Sequence, residues 1–590
     1  MRTNSGAADA RSASFDGVPT LTRLTPPAMI PTRFRRSVLV HGVIASLCAA
    51  LAACGDAART PGDTGEAGGT LIVAVPAEPA TLFPPLAEGS QDAAIIGAVF
   101  DRLAEIGPAL ETYGDGGFRP RLASSWVWAG DSLSIAFTID SLARWHDGQP
   151  VVANDVRYTF QVYTSDSVAA SNRSMLGNID SVSVRDPRTA VFWFKRRTPQ
   201  QFHDATYHMY VLPSHLLAGT SMKQLAASPF ARNPVGSGRF RFGSWVAGQR
   251  VEIVADTSNP RGRAKLDRVI WSIASDFGAA TVKLFAGEAD FFEYIRQGDL
   301  GQIARAPSLR LVDNRALQYF FLGFNLNDAS GSAAPHPIFG NVQVRRALHM
   351  AVDRASIVRN AYDSLGLVAL GPAPRALIPD TTSFKQLPYD PTAARAMLDS
   401  AGWLDTNNDG VRERDGRRLS FELLVPNSSA GRRSLAILLQ EQLRAVGAEV
   451  KPLVLEVSAF STRTDGRKFD AYMGGWASSP GLVGMPQTWG AKGSGNVGRY
   501  RSMAFDALVD SALTTFNREA SHRYWARAFQ QIVNDAPAIW LAEQRAPVAL
   551  HKRFIVPPLR PDGWYADLAD WRVDPAQRID RDRIGLGAAR

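Results

Sequence analysis

Three histidines and an aspartate lie close together in the sequence and could, by residue type, bind a metal ion or transfer protons. His203, His208 and His215 are separated by five and seven positions, and Asp204 follows the first of them. A helical zinc motif places two histidines four residues apart, which puts both rings on one helix face. That spacing is absent here. We therefore predict no metal site at these residues, and no resident cofactor for the chain.

An acidic turn resembles the first half of a calcium-binding loop. Asp405, Asn407 and Asp409 alternate before Gly410, as they do in an EF-hand. The twelfth position is Gly416 where that loop needs a bidentate glutamate. The pattern favours a structural turn and leaves a weak calcium site open.

A glycine-rich segment at residues 493–498 matches the spacing of a dinucleotide-binding loop. Such a loop follows a strand directly and has an acidic ribose partner about 20 residues further on. The preceding residues 486–492 are typical of a loop instead of a strand. We interpret the segment as a flexible loop at the edge of a cleft.

The cysteine content excludes several kinds of chemistry. Cys48 and Cys54 are the two cysteines of the sequence, and both lie near its start. The remainder can hold neither a disulfide framework nor a cysteine nucleophile. The sequence also lacks the Gly-x-Ser-x-Gly pattern of serine hydrolases. No catalytic residues are assigned, and we predict that the protein is not an enzyme.

Residues 29–54 resemble a targeting segment. Arg33, Arg35 and Arg36 precede an apolar stretch that ends in Leu-Ala-Ala-Cys at Cys54. A basic region, a short apolar region and small residues before a cleavage site are typical of secretory signals. The ending is similar to the lipobox of bacterial lipoproteins, which implies lipidation of Cys54. An ordinary signal with an incidental cysteine is the alternative.

These observations divide the start of the chain into three predicted parts. We predict that residues 1–28 are a non-native extension, with Met29 as the initiator. Residues 29–53 form the lipoprotein signal peptide, and residues 54–69 form a flexible tether. We therefore expect a protein of the periplasm or cell envelope that attaches to a membrane through its lipid anchor alone.

The basic charge does not predict nucleic-acid binding. The formal net charge is +9, but residues 1–54 hold six arginines and two aspartates, which leaves +5 for the rest. Those basic residues occur singly or in short pairs and form no stripe interleaved with aromatic residues. We expect a solvated surface and no nucleic-acid partner.

Apolar patterns with strand and helix periods alternate along the chain, which is typical of a mixed α/β protein. The predicted strands are residues 70–75, 133–139, 190–194, 251–255, 269–273, 319–325, 421–425 and 449–455. The predicted helices are residues 94–103, 279–284, 344–352, 391–401 and 434–446. We expect residues 251–255 and 269–273 to pair, and residues 421–455 to form a βαβ unit.

Several motifs resemble the bacterial extracellular solute-binding proteins of family 5, the oligopeptide, dipeptide and nickel-binding group. Residues 122–156 contain the Leu-Ala-x-Ser-Trp start, the Trp-His-Asp-Gly-x-Pro turn and the Ala-x-Asp-Val helix start of that family. Residues 234–242, 324–354 and 389–410 are similar to its later blocks, in the same order. The resemblance extends from about residue 68 to residue 560.

The resemblance implies a two-lobed periplasmic-binding-protein fold of the large type II class, with mixed sheets flanked by helices. Residues 68–316 would form lobe I, with an extra subdomain inserted at about 97–230, and residues 317–537 would form lobe II. Residues 538–590 would return to lobe I and end in a tail. Strands near 319–325 and 538–543 would connect the lobes, and a ligand would bind between them.

The resemblance also implies a ligand site in lobe II. Peptide binders of this family place an aspartate shortly after a Gly-Trp pair, where it meets the ammonium group of the peptide. Here Trp476 belongs to such a pair, but Ser478 and Ser479 stand where the acid is expected. We predict ligand contacts for these three residues, for Trp489 and for Asn325.

The function implied is capture of a peptide or peptide-like solute for the permease of an ABC transporter, by a monomer. Because the expected acid is missing, either another carboxylate such as Asp470 serves or the ligand lacks a free amine. The alternative function is a ligand-sensing or chaperone-like binding module on the same fold, without coupling to transport.

Overall fold

The computed structural model describes residues 67–330 and 333–586. The predicted N-terminal extension, signal peptide and lipidation site at Cys54 lie outside these residues, as does most of the predicted tether.

Strands and helices alternate along the described chain, as the sequence predicts. The strands are β1 (Thr70–Val75), β2 (Ala104–Ile106), β3 (Phe118–Pro120), β4 (Ala123–Trp128), β5 (Ser134–Ile139), β6 (Ile179–Asp186), β7 (Thr189–Phe194), β8 (Phe240–Val246), β9 (Arg250–Ala255), β10 (Arg268–Ile273), β11 (Phe291–Phe292), β12 (Leu309–Val312), β13 (Arg315–Phe324), β14 (Gly366–Val368), β15 (Glu413–Arg414), β16 (Arg417–Arg418), β17 (Ser420–Pro426), β18 (Glu449–Leu455), β19 (Ala471–Ala477), β20 (Ala538–Arg545), β21 (Val548–His551), β22 (Phe554–Ile555) and β23 (Arg572–Val573). The α-helices are α1 (Ser90–Val99), α2 (Ala153–Thr164), α3 (Gln201–Thr206), α4 (Ser214–Leu217), α5 (Phe277–Phe285), α6 (Leu300–Arg305), α7 (Val342–Met350), α8 (Arg354–Tyr362), α9 (Pro391–Ser400), α10 (Ala430–Arg444), α11 (Val457–Asp465), α12 (Met485–Thr488), α13 (Met503–Thr514) and α14 (Arg518–Asp535).

The first large sheet has seven strands in the order β12-β21-β11-β1-β10-β9-β8. Strand β1 lies near its centre and runs parallel to β10, while β9 and β10 pair antiparallel with Val269 opposite Ile253. The predicted pairing of residues 251–255 with 269–273 is therefore confirmed. Because β21 comes from the end of the chain, this sheet joins segments that are distant in the sequence.

A separate antiparallel sheet of four strands, β4-β5-β7-β6, lies between β1 and β8 in the chain. Helix α2 starts beside it, and the Asp155 carboxylate fixes that start by accepting hydrogen bonds from four groups. The donors are the Trp145 indole (3.1 Å), the Val152 amide (3.0 Å), and the amide (2.9 Å) and hydroxyl (2.6 Å) of Ser214. This network gives the Trp-His-Asp-Gly-x-Pro and Ala-x-Asp-Val motifs a structural role.

The second large sheet has six strands in the order β14-β20-β13-β19-β17-β18. Strands β17 and β18 run parallel on either side of α10, which confirms the predicted βαβ unit. Helix α9 begins where the sequence predicts, because the Asp390 side chain accepts the Ala393 amide (2.8 Å) and Pro391 occupies the first helical position.

Strand β13 is buried on both faces. Tyr319 and Phe321 join the core that extends toward the first sheet, while Phe320 and Leu322 join the core formed with the helices of the second sheet. A strand covered on both faces needs a continuous apolar run, which residues 319–324 provide.

The chain passes between the two large sheets at residues 313–314 and again at residues 546–547. The crossings lie side by side: the Ala546 amide donates to the Asn314 carbonyl (2.9 Å), and Arg545 binds Asp313 (2.8 Å). The sequence analysis assigned residues from 538 onward to lobe I. The structure corrects this, because β20 pairs with β13 and β14 in the second sheet.

Candidate functional site

One row of side chains crosses the face of the second sheet that is turned toward the first. Tyr319 is paired directly with Trp476 on one neighbouring strand and with Glu543 on the other. Directly opposed residues of antiparallel strands point to the same face. The row therefore brings an indole, a phenol and a carboxyl group together on one surface.

Trp476 lies at one end of this row. Its side chain is partly exposed, and its indole nitrogen is buried without a hydrogen-bond partner among the described residues. The indole lies against Gly495, where an added Cβ would come within 2.9 Å of the ring. The ring thus forms part of the sheet face next to a closely packed glycine loop.

The glycines of residues 493–498 serve this packing. A Cβ at Gly493 would lie 2.2 Å from the Gln487 carbonyl oxygen, and one at Gly498 would lie 2.4 Å from the Phe324 carbonyl oxygen. The segment follows α12 instead of a strand, so it lacks the context of a dinucleotide loop. The glycines allow close backbone contacts.

Trp489 has a structural role that differs from the predicted ligand contact. Its side chain is 5% exposed, its indole donates to the Tyr319 hydroxyl (2.8 Å), and its ring lies 4.8 Å from that of Trp540. Burial raises the pKa of the Tyr319 phenol, although this hydrogen bond opposes the rise. Trp489 therefore belongs to the core behind the site.

Asn325 is also corrected by its placement. Its side chain is fully buried, and its amide nitrogen donates to the carbonyl oxygens of Phe469 (2.8 Å) and Arg467 (3.2 Å). Its side-chain oxygen accepts the Asn327 amide (3.3 Å). With these bonds formed, Asn325 holds the end of β13 against the start of β19 and offers nothing to a ligand.

The loop after β19 carries the two predicted serines toward the first lobe. The Ser478 amide donates to the Leu317 carbonyl (2.7 Å), and Ser479 is exposed. Two residues later, Gly481 adopts a φ of +87°, and an added Cβ would lie 2.6 Å from the Thr112 hydroxyl oxygen. The loop therefore meets a segment of the first lobe at a position that suits glycine.

Further contacts join the same two regions. The Tyr113 hydroxyl donates to the Thr515 carbonyl, and Arg518 forms an ion pair with Glu111 (2.5 Å). These bonds connect residues 111–113, which precede β3, to the loop before α14 and to the start of that helix. Side chains from both lobes thus close around a shared space.

That space is a cavity of about 240 Å³. Its walls combine apolar and polar side chains from both sides. The first lobe contributes Leu110, Glu111, Thr112, Tyr113 and Gln200, and the second contributes Leu377, Ile378, Leu482, Arg518, His522 and Trp525, among others. The lining is more polar than apolar, and the cavity lies where two lobes meet, which is a frequent location of small-ligand sites.

Among the described residues that line this cavity, Glu111 is the only carboxylate, and Arg518 already pairs with it. A second acid, Glu543, lies behind the wall formed by residues 376–379. Its carboxylate accepts the Arg375 amide (2.9 Å) and faces the Arg375 guanidinium (3.4 Å), while burial raises its pKa. The sequence analysis missed Glu543, although a lone acid in an apolar strand is a recognisable signal.

Asp470 does not serve the cavity. It precedes β19, whereas Ser478 follows that strand, so a full strand of about 23 Å separates them. Its carboxylate accepts the Glu422 amide (3.0 Å) and lies 3.2 Å from His336. The proposal that Asp470 meets a ligand amine is therefore wrong.

The acidic turn at residues 405–410 is held by its own backbone. The Asp405 carboxylate accepts the amides of Asp409 (3.2 Å) and Gly410 (3.0 Å), and Arg418 pairs with the Asp409 carboxylate. The oxygens that a calcium ion would need are engaged in bonds within the turn and to Arg418. This supports the structural interpretation of the turn.

The histidine cluster separates into two parts. His203, Asp204 and His208 converge, with their ligand atoms all within 4.8 Å of one another. His215 lies elsewhere and binds Asp147 (2.7 Å). The sequence spacing did not predict this convergence, because α3 ends at Thr206 and the following turn redirects His208.

The sequence of this chain matches a known protein family. Residues 117–496 match the family model described as bacterial extracellular solute-binding proteins, family 5, middle region. The chain belongs to this family. Its members are extracellular solute-binding proteins.

A curated relative is the oligopeptide-binding protein AppA of Bacillus subtilis, which is 28% identical over 513 residues, 85% of this chain and 91% of AppA. The structure of AppA in complex with a nonapeptide has a TM-score of 0.69 at 26% identity and covers 86% of this chain and 99% of AppA. The structure of Campylobacter jejuni NikZ in complex with Ni(L-His) has a TM-score of 0.69 at 27% identity and covers 85% of this chain and 99% of NikZ. The family member described here therefore has the predicted two-lobed fold of mixed sheets and helices.

Among the described residues, no helix combines the length and apolar character that crossing a bilayer requires.

Proposed function

We propose that this protein captures a peptide or peptide-like solute between its two lobes and delivers it to the permease of an ABC transporter. It acts as a monomeric binding protein and not as an enzyme. It is held at the membrane, in the periplasm or cell envelope, by a lipid on Cys54. Family membership and the relatives that bind a nonapeptide or a nickel–histidine complex support the binding role.

The cavity between the lobes is the observation that carries this proposal. The Glu111–Arg518 ion pair and the Tyr113–Thr515 hydrogen bond cross from one lobe to the other at its wall. Such contacts form when the lobes approach and are lost when they separate. A ligand that touches both walls therefore favours the closed arrangement, which is how two-lobed binding proteins hold their solutes.

The charges around the cavity favour a ligand without a free amine. An ammonium group enclosed by the lobes needs a carboxylate, because an unpaired buried charge costs several kcal/mol. The lining carboxylate, Glu111, is paired with Arg518, and Glu543 behind the wall is paired with Arg375. Ser478 and Ser479 supply hydroxyl groups, which cannot neutralise the charge. We therefore expect N-blocked, cyclic or similar peptides to bind more tightly than free-amine peptides.

Isothermal titration calorimetry tests this specificity with pairs of tripeptides that differ in N-acetylation. The wild-type protein should prefer the acetylated member of each pair. Ser479→Asp adds a carboxylate at the exposed loop beside the cavity and should strengthen binding of the free-amine member about tenfold or more, since a hydrogen bond to a charged group contributes about 1.5–3 kcal/mol.

Ser458→Asp is the matched control, because Ser458 is also exposed but lies near the start of α11, away from the cavity. It should leave both affinities unchanged. Equal binding of acetylated and free tripeptides by the wild type, with no response to Ser479→Asp, would show that the amine is neutralised elsewhere. Failure of the protein to bind any peptide would contradict the peptide assignment itself.

A further inference from the structure

The convergent cluster of His203, Asp204 and His208 lies in the inserted region, and none of the three lines the cavity between the lobes, although Gln200, which does, directly precedes α3. His203 and Asp204 belong to α3, and His208 follows the end of that helix. His203 is fully buried, Asp204 is 7% exposed and His208 is 8% exposed. Two imidazoles and one carboxyl group therefore share a buried pocket.

Three polar atoms in this pocket lack hydrogen-bond partners. Both ring nitrogens of His203 and Nε2 of His208 are buried without a hydrogen bond among the described residues. A buried polar atom without a partner costs free energy, so native proteins pair such atoms with protein groups, water or an ion. Three unpaired imidazole nitrogens beside a carboxyl group point to a missing ligand.

The surrounding rings hold the two imidazoles in place. The His203 ring stacks on Tyr207 at 4.9 Å and meets the His208 ring edge-on at 4.8 Å, while Phe118 lies 6.3 Å away on another side. These contacts restrict both rings, so that little conformational freedom remains to be lost when they bind an ion.

One cation lies near the cluster. The Arg102 guanidinium lies over the rings of Tyr207 (4.6 Å) and Tyr210 (4.1 Å), and its positive charge opposes a metal cation. Burial raises the pKa of Asp204 to about 7, so its carboxyl group must release a proton when it binds the ion.

The geometry requires small movements only. Zinc binds imidazole nitrogen and carboxylate oxygen at about 2.0–2.2 Å, which places tetrahedral ligand atoms about 3.3 Å apart. Here Nδ1 of His203 lies 3.9 Å from Oδ1 of Asp204, and all three ligand atoms lie within 4.8 Å of one another. Shifts of about 1 Å in the side chains bring them to bonding distance.

We propose that His203, Asp204 and His208 bind one divalent transition-metal ion, with Zn²⁺ as the best match. Two nitrogen ligands and one oxygen ligand suit zinc and similar ions better than calcium or magnesium, which prefer oxygen alone. A water molecule completes the tetrahedron. The ion ties α3 to the turn after it and stabilises the inserted region, and the site is independent of the proposed peptide binding.

Equilibrium dialysis of the untagged, metal-stripped chain against Zn²⁺, followed by elemental analysis, tests the proposal. The wild type should bind one Zn²⁺ per chain and melt a few degrees higher with the ion. Asp204→Asn and His208→Gln keep the side-chain size and should each bind Zn²⁺ at least tenfold more weakly. His215→Gln changes a histidine outside the cluster and should bind like the wild type.

Circular dichroism identifies which variants fold, and Asp204→Asn, the closest match in shape, decides the result if His208→Gln does not fold. Co²⁺ titration of the wild type gives a measurement that needs no variant, because its absorption spectrum reports coordination by imidazole. The proposal is overturned if the wild type takes up no stoichiometric Zn²⁺, if the Co²⁺ spectrum shows oxygen ligands alone, or if Asp204→Asn binds Zn²⁺ as tightly as the wild type.

Discussion

At the scale of single residues, the approach of the two lobes depends on a position without a side chain. Gly481 has a left-handed backbone conformation, with φ at +87°, and lies directly against Thr112 of the other lobe. A side chain here would strain the backbone and also push the lobes apart. The loop after β19 therefore owes both its shape and its contact to this glycine.

Gly481→Ala tests this role. We expect the free energy of unfolding to fall by about 1–2 kcal/mol, the cost of a left-handed conformation for an L-residue, and ligand affinity to weaken as well. Gly484→Ala is the control from the same loop, since an added Cβ there meets nothing within 4 Å. Urea denaturation and calorimetry compare the two variants. Equal effects of both substitutions would contradict the assigned contact.

The hydrogen-bond partners of individual polar side chains could not be predicted from the sequence. The Gly-Trp pair led to Trp476, which lies partly exposed on the sheet face. Trp489 and Asn325 were assigned by residue type alone, and both proved to satisfy internal hydrogen bonds instead. A tryptophan or asparagine looks the same in a sequence whether its polar atom meets a ligand or a neighbouring strand, because the partner comes from another part of the chain.

At the scale of elements, a buried ion network ties the end of the chain to the first sheet. The Arg553 guanidinium binds Asp290 (2.5 Å), which precedes β11, and Asp582 (3.2 Å), and it donates to the Thr70 carbonyl on β1 (3.3 Å). All three charged side chains are 0–1% exposed. One cation thus holds together three segments that are far apart in the sequence.

Arg553→Met removes the cation but keeps much of the side-chain volume. It removes the buried cation that Asp290 and Asp582 share and leaves Asp290 with Arg581, so we expect the free energy of unfolding to fall by about 3 kcal/mol. Arg173→Met breaks an ion pair between partly exposed Arg173 and exposed Asp166 and should change stability little. Urea denaturation measures both. A small effect of Arg553→Met would contradict the structural role of the network.

Regular elements were predictable where the local pattern is strong. Residues 449–455 were predicted as a strand with the bounds of β18, and β1 was likewise predicted over residues 70–75. The first helix was predicted over 94–103 but spans Ser90–Val99, because the Asp92 side chain accepts the Gly89 amide and starts the helix earlier. Strand β11 has two residues and exists through its pairing with β1 and β21, which no local pattern reveals.

At the scale of the whole molecule, we propose that the two crossings between the sheets act as a hinge. Residues 313–314 and 546–547 lie side by side, joined by the Ala546–Asn314 hydrogen bond and the Arg545–Asp313 ion pair. The lobes meet again at the cavity wall, through the Tyr113–Thr515 and Glu111–Arg518 contacts. Rotation about the crossings separates these contacts without disturbing either sheet.

Small-angle X-ray scattering tests capture between the lobes most directly. The protein is measured with and without a peptide that has been shown by calorimetry to bind in the same buffer. Closure brings the lobes together, so the radius of gyration should fall on addition of the peptide, and a peptide that does not bind should leave it unchanged. An identical scattering profile at full occupancy would contradict the account, because the solute would then be held without movement of the lobes.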